Sequence, residues 1–286
     1  MLSTMGQPWD NKRLMVELQR QLMRESDMWN PPSYKSTSAT IKAVEIGREQ
    51  RNQAVRWLAQ LTRKFHFLPE TLALSVNIFD RFLQTVKARP KHLNCIGVAA
   101  FYLAAKNVEE DERLPITLEL VQQSQCGCSV SEVLRMERCI LDKLGWDLRA
   151  VTPLHFLHIF HSLLMANYPR LLDGYVVARS RQMSILTTKL EMVLMDTHCL
   201  RYAPSTIALS LLSLELEKFW KDWAQPTIKL AALIGLDTLI VARCRDCLSG
   251  HLRIAPPMQG GMILPPTPYV PTITSRVSTA RSEERR

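Results

Sequence analysis

The sequence is poor in glycine, holds no long apolar run and gathers no block of like charge, and each shortage narrows what it can encode. Only 10 of its 286 residues are Gly, whereas nucleotide-binding parallel sheets and strand-rich folds need Gly at phosphate loops and tight turns. The shortage points to helices. The most apolar run, Ile207 to Leu214, is too short to cross a bilayer, and the N-terminus lacks the charged-then-apolar pattern of a signal peptide. No membrane association is expected. The formal net charge is +9, but Lys and Arg are scattered along the whole chain. This is the distribution of a solvated surface rather than of a nucleic-acid groove.

Chemical signatures are missing as well. There is no phosphate-cradling Gly loop, no His-Glu-x-x-His helix and no Gly-x-Ser-x-Gly elbow, so no catalytic residue and no enzyme activity is expected. His155, His158 and His161 recur every third residue, but the first and last stand nearly two helical turns apart, too far for ligation by all three. Cys126-Gly127-Cys128 and Cys244-x-x-Cys247 with His251 raise zinc, yet two half-sites from distant segments would have to converge. Thiols packed in helices explain them, and no metal or other cofactor is expected. The seven cysteines are an odd count, several within apolar helical patterns. That usage fits a reducing compartment, nucleus and cytoplasm. The acidic run Glu109 to Glu112 follows an apolar helix, whose C-terminal dipole disfavours negative charge, and reads as a solvated loop. Thr267-Pro268 is an isolated proline-directed pair near the C-terminus.

What the chain does have is helical periodicity. Hydrophobic residues make up 47% and charged residues 22%, as in an ordinary globular protein, and the length allows one large domain or two. Lys12 to Trp29 carries Leu14, Leu18 and Leu22 at intervals of four, an amphipathic helix that ends at Asn30-Pro31-Pro32. The short, Ser/Thr-rich stretch Ser33 to Thr40 reads as a linker. Five helical patterns follow: Arg48–Phe65, Pro69–Val86, His92–Val108, Ile116–Gln123 and Ser129–Leu144. Pro69-Glu70 suits a first turn, and Ser129 with Glu132 fits a capping box. The third pattern, around Ile96 to Ala105, is apolar or small on every face, so other helices must enclose it. Thr206 to Leu214 repeats that character within a second set: Leu154–Met165 after Thr152-Pro153, Val176–Met195, Pro204–Phe219, Pro226–Ile234 and Asp237–Leu252. This predicts a duplicated helical unit. Past Ala255 the composition turns to Pro, Gly, Thr and Ser, as in a disordered tail.

Three clusters then carry a resemblance: Arg51 to Leu58, Asp80 to Leu83, and Leu103 to Glu110 followed by Leu134 to Leu141. In order and spacing they resemble a cyclin box, with Trp146-Asp147-Leu148 closing the unit and Thr152-Pro153 opening the next, closest to the cyclin I and cyclin G group. The resemblance implies an all-α fold of two tandem five-helix cyclin boxes. Its domains would be residues 1–46 (N-terminal helix and linker), 47–149 (first box), 150–253 (divergent second box) and 254–286 (disordered tail).

It further implies a regulatory subunit that forms a heterodimer with a cyclin-dependent serine/threonine protein kinase and activates it, with no chemistry of its own. Lys106 and Glu137 inherit the kinase-binding role, and Arg51 with Asp80 the structural charge pair inside the box. Gln50, Gln53 and Ala54 stand where cell-cycle cyclins carry apolar substrate-docking residues, leaving Trp57. The resemblance thus implies a degraded substrate-docking patch. Two other functions remain open at this point. One is a cyclin-fold scaffold that binds a kinase or phosphatase without activating it. The other, disfavoured by the scattered charge, is a double-cyclin-fold transcription factor that binds nucleic acid.

Overall fold

The structure, a computed structural model, describes residues 8–31, 34, 46–169 and 179–254. Among the described residues the regular structure is entirely helical. The N-terminal helix is α1 (Pro8–Met28). Five helices follow: α2 (Arg48–Lys64), α3 (Pro69–Thr85), α4 (Leu93–Val108), α5 (Thr117–Ser124) and α6 (Val130–Lys143). The next five are α7 (Pro153–Asn167), α8 (Arg179–Leu194), α9 (Pro204–Leu216), α10 (Ala224–Leu233) and α11 (Thr238–Ile254). Most of the expected linker, residues 176–178 and the expected tail from 255 onward, with Thr267, lie outside the described residues.

Each start has a local cause. Ser129 Oγ accepts the Glu132 N–H at 3.3 Å, and the Glu132 carboxylate accepts the Ser129 N–H at 2.8 Å, the reciprocal box read from the sequence. Proline fills the first turn of α3, α7 and α9, where its missing N–H leaves nothing unpaired. In α4 every residue from Leu93 to Ala105 is buried, as its all-round apolar pattern requires. Gly97 explains how a large neighbour comes so close. A Cβ there would stand 3.2 Å from Cζ3 of Trp57, so the missing side chain makes room for the indole.

Two cores result. One is built by α2 to α6 around Trp57, Phe79, Phe82, Ile96 and Phe101. The other is built by α7 to α11 around Phe156, Phe160, Leu190, Leu209 and Leu212. Leu18 of α1 belongs to the second core although α1 precedes the first, and Leu14 and Leu22 pack against it too. Burying one such leucine contributes about 1.5–3 kcal/mol. Glu25, one turn before the end of α1, then accepts the Ser205 N–H and hydroxyl, both at 2.7 Å. It thereby serves the N-terminus of α9, whose own N-cap residue, Ala203, has no side chain able to do so. Burial raises the Glu25 pKa, and the Ser205 contacts only partly offset this.

The two helical sets meet through α3, which touches α7 and α8. Ala73 of α3 joins the second core. At the edge, Glu70 lies 3.5 Å from His158, and Asn52 Oδ1 accepts the Thr197 N–H at 3.2 Å.

Candidate partner-binding site

Helix α6 is amphipathic, and its inward positions are Val133, Glu137 and Ile140. The i, i+4, i+7 spacing thus points an acid at α4. Lys106 meets it from the last turn of α4, where a cation also suits the helix dipole. Its Nζ donates to Glu137 Oε1 at 2.8 Å and Oε2 at 3.1 Å, and it lies 4.1 Å from the centre of the Tyr102 ring. The two sides differ in exposure. The Glu137 side chain is 8% exposed and that of Lys106 40%. The carboxylate is therefore structural, held by a lysine that still faces solvent with donors to spare.

Apolar side chains are exposed on the neighbouring elements. Leu134 lies one turn before Glu137, and Ile116 and Leu118 stand at the start of α5. The Tyr102 hydroxyl ties that start to α4 by donating to the Pro115 carbonyl at 3.0 Å. Beyond α6, Trp146 is 60% exposed with a left-handed φ of 60°, a conformation bulky residues seldom adopt. Its indole N–H reaches Asp142, and the Arg138 guanidinium lies 5.4 Å from the ring. A basic tip among exposed apolar groups is a surface suited to a protein partner.

Arg51 and Asp80 are also in contact. Arg51 donates to both Asp80 oxygens, at 2.9 and 2.6 Å, and through Nη1 to the Leu194 carbonyl at 2.7 Å. The pair therefore joins α2, α3 and the end of α8. Burial alone would weaken the guanidinium's hold on its proton, but the Asp80 carboxylate outweighs it and the Arg51 pKa rises. Tyr34 completes the group by donating to Asp80 Oδ1 at 2.6 Å. Burial, reinforced by Asp80, pushes the Tyr34 pKa well above its ordinary value.

The four positions matched to a substrate-docking patch divide by burial. Gln50 and Gln53 are partly exposed, and Gln50 accepts the Gly47 N–H at 3.0 Å, capping α2. Ala54 and Trp57 are buried, at 0% and 2% exposure. The gap at Gly97 admits the Trp57 ring to the core. The solvated-loop reading of the acidic run needs a correction. Glu109 is buried and caps α3 by accepting the Leu68 N–H and the Thr71 hydroxyl, with Arg113 alongside. Glu110, Asp111 and Glu112 remain exposed.

The three histidines part company. His155 pairs with Thr152, His158 with Glu70, and buried His161 with Gln182. Cys126 lies in the first core and Cys244 in the second, so the two cysteine motifs do not converge. Neither the place of Tyr34 beside Asp80 nor the capping role of Glu109 was expected from the sequence. A signal for Glu109 existed, since it directly follows the apolar helix and can turn back on it; Tyr34 offered none.

An all-α chain with two successive helical cores, an intra-box Arg–Asp pair and a Lys–Glu pair at the end of the central helix defines a cyclin-fold protein. Residues 19–149 match the cyclin N-terminal domain. Human cyclin-G1 is 39% identical over 221 residues, covering 76% of this chain and 66% of cyclin-G1. Human cyclin-I2 is 32% identical over 245 residues, covering 85% and 64%, and human cyclin-G2 40% over 171 residues, covering 58% and 47%. The chain thus spans less than two thirds of the length of these relatives. A solved viral cyclin from herpesvirus saimiri shares the fold, with a TM-score of 0.64 at 20% identity over 82% of this chain and 97% of that one. The chain belongs to the cyclin family, among the G and I cyclins.

Proposed function

We propose that the chain is a regulatory subunit that binds a cyclin-dependent serine/threonine kinase, in the nucleus and cytoplasm, and switches it on. The observation that carries this reading is the surface around Lys106: a half-exposed cation on a buried acid, with Leu134, Ile116 and Leu118 exposed on the adjoining helices. Kinases need the Glu of their mobile αC helix paired with the β3 Lys, and a partner that binds the αC-in state more tightly shifts the population towards activity. Lys106 and the apolar residues supply that differential affinity, while Glu137 holds Lys106 in place. Buried Ala54 and Trp57, with polar Gln50 and Gln53, leave the first box without an apolar substrate-docking patch. Substrate choice then falls to the kinase or to another surface.

The test is a kinase assay on a purified stoichiometric complex, chosen by co-purification with a panel of cyclin-dependent kinases. Phosphorylation of a generic substrate should rise on complex formation, and Lys106→Ala should weaken binding by about 2–5 kcal/mol. A complex with unchanged kinase activity overturns activation and leaves a scaffold; no complex with any kinase overturns the reading altogether.

A further inference from the structure

The second helical set holds a cluster that the kinase-docking face does not use. Asp196, at the turn after α8, Cys199, three residues on, and His251, near the end of α11, bring one ligand atom each to within 4.8 Å of one another. We infer that Asp196, Cys199, Cys247 and His251 form a binding site for a zinc-class divalent metal ion. The donor set decides the class. Two thiolates and an imidazole favour zinc over the oxygen-seeking calcium and magnesium, and with the Asp196 carboxylate as fourth ligand they make a closed tetrahedral site.

The orientation of the ligands already resembles that of a ligated site. His251 Nε2 donates to the Met192 carbonyl at 3.0 Å, which leaves Nδ1 facing Asp196 Oδ2, also at 3.0 Å. Anchoring one ring nitrogen on a carbonyl is how metal-binding histidines are commonly fixed. Asp196 is held in the same way: its Oδ1 accepts the His198 N–H at 2.9 Å, and its other oxygen is turned to the cluster. Cys199 is fully buried, and its N–H donates to the Asp196 carbonyl at 3.2 Å. Cys247 lies four residues before His251 on α11, so both fall on one helix face. Its thiol stands outside that close trio, beside the Cys199 thiol and the Arg201 guanidinium and with a long contact, 4.0 Å, to the His198 carbonyl, and would close on the ion as the fourth ligand.

Binding exchanges protons for metal. Two thiol protons leave and two metal–sulfur bonds form, with the imidazole binding through its Nδ1 lone pair and the carboxylate through Oδ2. One divalent cation with two thiolates and one carboxylate carries a net single negative charge. Arg201, within electrostatic range of Cys247, offsets it. The bound ion would fasten the turn between α8 and α9 to the last described helix.

The test uses the full chain, purified, stripped with a chelator under reducing conditions and titrated with cobalt(II), then zinc(II). The expected result is one equivalent of cobalt with the intense visible absorption of a tetrahedral thiolate complex, displaced by zinc, and a rise in melting temperature with zinc. Cys247→Ser and His251→Asn should each weaken binding by more than about a hundredfold. Cys128→Ser, in the first core, should leave it unchanged. Circular dichroism of the metal-free variants checks that each still folds; Cys247 is only half-buried, so Cys247→Ser decides if His251→Asn does not fold. No cobalt complex in the wild-type chain overturns the site, as does binding that survives Cys247→Ser or disappears in Cys128→Ser.

Discussion

At the scale of single residues, the Lys106–Glu137 pair is lopsided, and the lopsidedness is measurable. Lys106→Met strands a buried carboxylate, whereas Glu137→Gln frees a lysine that water can still solvate. Thermal melts should therefore show the larger loss for Lys106→Met, by about 1–2 kcal/mol after allowing for solvent screening at the exposed lysine. Gly97→Ala tests the gap that admits Trp57. Its Cβ would stand 3.2 Å from the indole, tighter than ordinary contact, and overpacking of this kind costs about 1–3 kcal/mol. Denaturant titration should show a lower midpoint, and Trp57→Phe in the same background should restore part of it.

Much of this was legible beforehand, for physical reasons. Lys106 and Glu137 could be placed near one another because helical period and box order both limit where α4 and α6 run. That Glu137 is the buried partner was not legible, since burial of a charge depends on which helix covers it. Trp57 shows the same limit from the other side. An aromatic residue on an amphipathic helix reads equally as patch or core until the opposing helix is known, and Gly97, the deciding residue, lies forty positions away on α4.

Among the helices, the critical joint is Arg51. It holds Asp80 on α3 and the last carbonyl of α8 at once. Arg51→Met would leave Asp80 buried beside Tyr34 without its cation, and removing one partner of a buried pair costs about 3–5 kcal/mol. Circular dichroism should record a large loss of folded protein, and hydrogen exchange should speed up at the α8 C-terminus as well as in α2 and α3. Confinement of the effect to α2 and α3 would show that the Leu194 contact does not couple the sets. Helix α1 yields a pH test. Because burial raises the Glu25 pKa, its contribution to folding is fully present below the ordinary value of 4.5 and is lost as pH rises through the raised value. The stability difference between Glu25→Gln and wild type should thus move in favour of the variant as pH climbs towards neutrality, and should vanish at acidic pH. Melts across that range check it. Helix α1 itself was visible in the spacing of Leu14, Leu18 and Leu22, but its mate was not, because periodicity shows that a stripe must be covered without saying by what.

At the scale of the molecule, removing residues 1–28 should uncover apolar surface on the second helical set while leaving the first core untouched. The expected signs are dye binding to the exposed surface, faster exchange in α7 and α9, and little change in α4 and α6. Equal loss of protection in both sets would mean that the two cores unfold as one unit.

The docking of α1 also sets an order of events on the ribosome. Glu25 and Ser205 are 180 residues apart, and at about 5–20 residues per second the first is made on the order of 10–40 s before the second. For that interval the Leu14–Leu18–Leu22 stripe has left the tunnel with no surface to cover it, while α2 to α6 can already close around their own core. Helix α1, made well before the surface that covers it, is thus among the last to find its place, and until then its bare stripe is available to a chaperone, or to the same stripe on a neighbouring nascent chain.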